Sequence, residues 1–97
     1  MTYLSSQKIN IAVEIKSYNL VTRDQGSKLV SLIAEKLKTN ELIVIDFTGV
    51  LSLSPSFADE LFNGLKKELG ETFSKKIKIL CDKPEWRKLI QTALNLL

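Results

Sequence analysis

Ser52, Ser54 and Ser56 stand at intervals of two, just before Asp59 and Glu60, and Asp46 lies a few residues upstream. Hydroxyls and carboxylates at this density could serve nucleophilic catalysis, acid–base catalysis or phosphate chemistry. The first of these lacks a base. Histidine is absent from the chain and no lysine sits at a recognisable motif spacing, so Ser-His-Asp and Cys-His arrangements are excluded. Asp59 and Glu60 are adjacent, and adjacent residues on a helix point about 100° apart, so the two do not converge on one substrate atom. Phosphate chemistry fits better. A serine at a helix start is met by free backbone N–H groups and the positive end of the helix dipole, which favours a phosphate there. The same serines also serve as plain helix caps and loop residues. Asp46, at the end of an apolar run, can cap the following turn or bind a cation. Asp59 near a helix start is favourable through the dipole alone.

Cofactor chemistry has no anchor. The glycines at 26, 49, 64 and 70 form neither a dinucleotide nor a P-loop fingerprint. Metal ligation through histidine is excluded, and the one cysteine, Cys81, can form neither an internal disulfide nor a multi-cysteine site. Cys81 is expected as a buried core thiol, and such sparing cysteine use fits a reducing cytoplasm. The start of the chain, from Met1 to Lys8, is polar and shows no apolar signal-peptide core. No run approaches the ~20 apolar residues that a membrane span needs. The expectation is a soluble cytoplasmic protein with no catalytic residues, no metal and no cofactor. Net charge is +3, with Lys75, Lys76, Lys78, Lys83, Arg87 and Lys88 in the last third. A solvated basic face is the plain reading. Contact with nucleic acid is the weaker alternative, since no aromatic residues interleave for base stacking.

The elements that must position these residues follow from periodicity. At 97 residues the chain is read as a single domain spanning 1–97. Ile9, Ile11, Val13 and Ile15 alternate with more polar residues, which predicts an edge strand. Lys16 to Val21 is a connector in which Leu20 and Val21 can form a very short strand. Thr22 followed by Gln25 predicts a capping box and a helix from near Arg23, with Leu29, Val30, Ile33, Ala34 and Leu37 inward. Gly26 weakens its first turn, and Asn40 is expected to end it in the left-handed conformation. Leu42 to Ile45 is continuously apolar, closed by Asp46 and Phe47, and reads as the central strand, with coverage of both faces favoured. Thr48 to Ser54 is a loop. Pro55 fits the first helical position, with Ser54 as N-cap or Ser56 with Asp59 as the alternative. Ala58, Leu61, Phe62, Leu65 and Leu69 form the inner stripe of that helix, and Gly70 stops it. Glu71 to Lys76 is a polar connector anchored by Phe73. Ile77 to Cys81 is a strand, and Asp82 and Pro84 open a last helix whose stripe runs from Trp86 to Leu97. Strand and helix alternate, which predicts an α/β fold with a small, mostly parallel sheet of three to four strands and three helices.

Val44-Ile45-Asp46-Phe47-Thr48-Gly49-Val50 followed by Ser54-Pro55-Ser56-Phe57-Ala58-Asp59-Glu60-Leu61-Phe62 resembles the signature of the bacterial STAS-like domains of unknown function. Leu20-Val21-Thr22-Arg23 and Trp86-Arg87-Lys88-Leu89-Ile90 fit the same pattern, so the resemblance runs from about Leu20 to the C-terminus. These domains are similar to the STAS domains of anti-sigma factor antagonists. The resemblance implies a STAS-like fold and a phosphorylatable serine at the helix start, which falls on Ser56 with Ser54 nearby. It further implies a histidine-kinase-like ATPase as partner. Phe57 stands where those domains keep a glycine, and Ser54-Pro55 replaces their Asp-Ser. The expectation is a non-enzymatic regulatory domain that docks a histidine-kinase-like ATPase or another switch partner through Asp46, Ser54, Pro55, Ser56, Phe57, Asp59 and Glu60. Constitutive docking through the Pro55–Phe57 surface, or a homodimer, is the second reading.

Overall fold

A computed structural model describes residues 5–95. Met1 to Leu4, Leu96 and Leu97, the last of which is the final member of the expected stripe, lie outside them. The chain runs β1 (Ser6–Asn10), α1 (Ile11–Ile15), β2 (Asn19–Leu20), α2 (Arg23–Lys36), β3 (Leu42–Asp46), β4 (Ser52–Leu53), α3 (Pro55–Leu69), a 3-10 turn (Gly70–Thr72), α4 (Phe73–Lys76), β5 (Ile77–Leu80) and α5 (Pro84–Asn95). β3 lies between β1 and β5 in a parallel sheet, and β2 pairs with β4 in a separate parallel ribbon. The expected α/β fold with a small parallel sheet and a central Leu42–Asp46 strand is therefore observed.

The register decides what the sheet buries. Ile9, Ile45 and Ile79 align across the three strands, as do Gln7, Ile43 and Ile77. Ile9, Ile43, Ile45 and Ile77 on this face are buried among Leu29 and Ile33 of α2, Phe57, Leu61, Phe62 and Leu65 of α3, and Ile90 of α5. Each such aliphatic or aromatic side chain stabilises the fold by roughly 1.5–3 kcal/mol. The opposite face carries Lys8, Val44 and Lys78 in register, with Leu42 and Leu80 on the same side. Leu42 and Val44 are only half-buried and Leu80 is 47% exposed. Coverage of both faces, expected from the apolar run, is thus corrected. Apolar β3 sits between edge strands that present Ser6, Lys8 and Lys78 to water.

Four local expectations are also corrected. The alternating stretch from Ile9 to Ile15 is not one strand. Asn10 breaks it by accepting the Val13 N–H at 3.1 Å while its amide donates to the Thr48 carbonyl at 3.0 Å. An asparagine that can satisfy a free helix N–H competes with continued pairing. Ile11, Ala12 and Ile15 then share one helical face, Val13 points out, and Lys16 closes the turn at φ 61°. Asn40 does not adopt a left-handed backbone. Its amide instead donates to the Lys36 carbonyl at 3.1 Å and the Gln7 side chain at 3.3 Å, tying the end of α2 to β1. The loop from Thr48 to Ser54 includes β4, and part of the connector before β5 is helical.

The start of α2 follows its sequence. Gln25 N–H donates to Thr22 Oγ1 at 3.1 Å, and Gln25 Oε1 accepts from the amides of Thr22 and Val21. Gly26 has a role that helix propensity alone does not show. A Cβ there would lie 3.0 Å from the Phe57 carbonyl and Glu60 Cβ, so its absence lets α2 cross close to α3. Gly64 does the same from the other helix, where a Cβ would come within 2.7 Å of Val30 Cγ2.

Candidate functional site

The carboxyl ends of β1 and β3, the ribbon and the starts of α2 and α3 gather at one end of the molecule. Asp46 organises it. The residue is 4% exposed, and its Oδ1 accepts from the Thr48 amide at 3.0 Å and the Thr48 hydroxyl at 2.6 Å. Lys8 Nζ lies 3.9 Å from the other oxygen. Burial pushes the Asp46 carboxyl up, but the Thr48 hydroxyl and amide, the Lys8 charge and Asn10 outweigh it and hold the pKa below the usual carboxylate value. Of the two roles open in the sequence, the side chain takes turn capping. Gly49 completes the turn at φ 91°, a conformation glycine adopts without strain. The Val50 carbonyl then accepts from Lys83 Nζ at 3.2 Å and Trp86 Nε1 at 3.4 Å, so the start of α5 pins the loop from the far side.

This framework leaves apolar side chains outside. Leu51 is 65% exposed, Tyr18 62% and Val13 69%. Leu51 N–H donates to the Tyr18 carbonyl at 2.7 Å, and the Tyr18 ring lies beside Gly49. Asn10 links the α1 turn carrying Val13 to the same loop through Thr48. Exposed Val21 and Pro55 extend the surface toward the starts of α2 and α3.

The serines are separated by their bonding. Ser54 is the N-cap: its hydroxyl accepts the Phe57 N–H at 3.1 Å and donates to the Val21 carbonyl at 2.7 Å. The Ser52 hydroxyl is bonded to the Asn19 side chain. Ser56 carries no hydrogen bond on its hydroxyl among the described residues. It lines a groove of about 370 Å³ with Arg23, Pro55, Asp59, Leu89, Thr92 and Ala93. Arg23 Nη1 and Asp59 Oδ2 pair across this groove at 3.1 Å.

A protein-family model described as a STAS-like domain of unknown function (DUF4325) matches residues 25–84, well over half of the chain. The chain belongs to the STAS-like domains of unknown function. Comparison with curated proteins and with solved structures gave no match. In this STAS-like domain the segment from Val50 to Glu60 contributes less surface than the sequence reading assigned to it. Phe57 is fully buried beneath the start of α3, so it is corrected from a docking residue to a core residue. Asp46 is likewise corrected, because its carboxylate is buried inside the turn that it caps. The Ser54 hydroxyl is fully engaged. Pro55 is exposed, whereas Ser56, Asp59 and Glu60 are half-exposed.

Sequence reasoning missed Tyr18, Leu51, Val13 and Arg23. Tyr18 and Leu51 are apolar residues in loops with no periodic signal, and Val13 belongs to an alternation that predicts burial on a strand face. Arg23 meets an acid on a different helix, which local spacing cannot show. The basic residues of the last third do not form one stretch on the STAS-like domain. Lys75, Lys76 and Lys78 line a cleft at the amino end of the sheet. Lys83 reaches the Val50 carbonyl, and Arg87 Nε donates to the Cys81 carbonyl at 2.6 Å. Cys81 itself is half-buried against the core rather than enclosed by it. Among the described residues no helix is long and apolar enough to cross a membrane.

Proposed function

We propose that this STAS-like domain is a non-enzymatic regulatory protein-binding module. It docks a switch protein through the surface at the carboxyl ends of its strands. The observation that carries the reading is exposed Tyr18 and Leu51 on two neighbouring loops joined by the Leu51 N–H to the Tyr18 carbonyl, the Leu51 loop being held by Asp46, Lys83 and Trp86. Side chains of this size cost free energy in water, and a rigid loop presents them without further ordering cost on binding. The resemblance to anti-sigma factor antagonists supports a histidine-kinase-like ATPase, or another switch protein, as the partner in this reading.

Ser56 supplies the regulation in this reading. Its hydroxyl is the one of the three around the α3 start that carries no bond among the described residues. A phosphate there adds about −2 charge in the first turn of α3, where free N–H groups and the dipole favour it. It would also compete with Asp59 for Arg23 and so alter the charge of the groove. Incubation with the candidate ATPase and ATP should add one phosphate, located at Ser56 by mass spectrometry and absent from Ser56→Ala. No mass shift, or phosphate at another residue, contradicts the regulatory half of the proposal.

A further inference from the structure

The open face of the sheet meets the proposed docking end only at its edge, where Lys8 lies 3.9 Å from Asp46 and Leu80 pairs in register with Asp46, and it presents none of that end's exposed apolar residues. Its middle is an apolar row, Leu42 and Val44 on β3 with Leu80 on β5. Lys8 and Lys78 stand on either side of Val44 in strict register, so the row is bracketed by two exposed ammonium groups. At the amino end the face runs into a cleft of about 660 Å³, whose wall holds Leu42, Lys38, Lys75, Lys76 and Lys78, with Glu41 as an acidic member. Lysines on edge strands discourage stray edge pairing. That role accounts for the lysines of β1 and β5, but not for an apolar row left uncovered between them.

We infer that this face binds an amphipathic segment of another protein that carries carboxylates beside aliphatic side chains. Charge complementarity selects that occupant. Lys8 is held near buried Asp46 at 3.9 Å, whereas Lys78 has no ion pair among the described residues. A second copy of the chain would bring a second set of lysines against the first, which is unfavourable at close range. Nucleic acid would satisfy the lysines and leave Leu42, Val44 and Leu80 without apolar partners. The domain then has two faces for partners, one at the strand ends and one on the sheet.

The test uses the full chain labelled with 15N and a synthetic amphipathic Leu/Glu peptide as probe. Its Leu/Lys counterpart and an oligothymidylate are the comparison arms. Addition of the Leu/Glu peptide is expected to shift the amides of Lys8, Leu42, Val44, Lys78 and Leu80. Lys78→Glu should weaken binding by about tenfold, equivalent to ~1.4 kcal/mol. This substitution leaves the Lys8–Asp46 pair in place, so loss of fold does not confuse the result. Absence of shifts on these strands, equal binding of the Leu/Lys peptide, or equal binding of the oligonucleotide at the same residues overturns the inference.

Discussion

Phe57→Ala is expected to lower stability by about 3–5 kcal/mol, enough to unfold a large fraction of the protein. The ring is fully buried between the start of α3 and the core, and its own amide is held by the Ser54 cap. Truncation would remove the transfer free energy of the ring and leave a cavity. The site has little room to collapse, because the Phe57 carbonyl already lies within contact distance of a Cβ placed at Gly26. Urea unfolding should show a lower midpoint with an unchanged slope. A midpoint within experimental error of wild type would show that Phe57 does not occupy the core. Phe57→Asp would be more damaging still, and any binding it lost would report unfolding rather than a contact.

Asp46→Ala is the second large effect, about 3 kcal/mol at neutral pH. Hydrogen bonds to a charged group contribute roughly 1.5–3 kcal/mol each, and Asp46 accepts two from Thr48. The sign of its pH dependence follows from its lowered folded pKa. An unfolded Asp titrates near 3.9. The stabilisation is therefore complete above about pH 4 and is lost as pH falls through the lower folded value. Wild type should lose stability more steeply than Asp46→Asn as pH falls below about 4, because this proton uptake is absent from the variant. Parallel acid-denaturation curves for the two proteins would count against the ionised, hydrogen-bonded carboxylate.

Features set by neighbouring residues were legible in the sequence. Thr22 and Gln25 announced the start of α2, Pro55 the start of α3, and Leu42 to Asp46 the central strand. α1 was obscured because Ile9, Ile11, Val13 and Ile15 satisfy a strand period. Only the Asn10 side chain, which bonds the Val13 N–H and the Thr48 carbonyl together, shows why the strand stops. Phe57 had a helical signal of its own, one turn before Leu61. Its place in a motif that elsewhere holds glycine drew it to the surface instead. The Arg23–Asp59 pair, the crossing at Gly26 and Gly64, and the clasp of Lys83 and Trp86 on Val50 all join residues over 30 positions apart. Such contacts leave no mark in local spacing.

The proposed docking surface carries the account, and the affinity of the proposed partner, a histidine-kinase-like ATPase, for wild type and for Leu51→Asp measures it most directly. Leu51 is 65% exposed, so the substitution should leave thermal unfolding unchanged. Burial of a leucine side chain contributes about 1.5–3 kcal/mol, and an aspartate in its place would bring an unpaired charge into the contact. The account predicts binding weakened by at least about 30-fold for Leu51→Asp, with Lys78→Glu binding like wild type. Equal affinity of Leu51→Asp and wild type would contradict it.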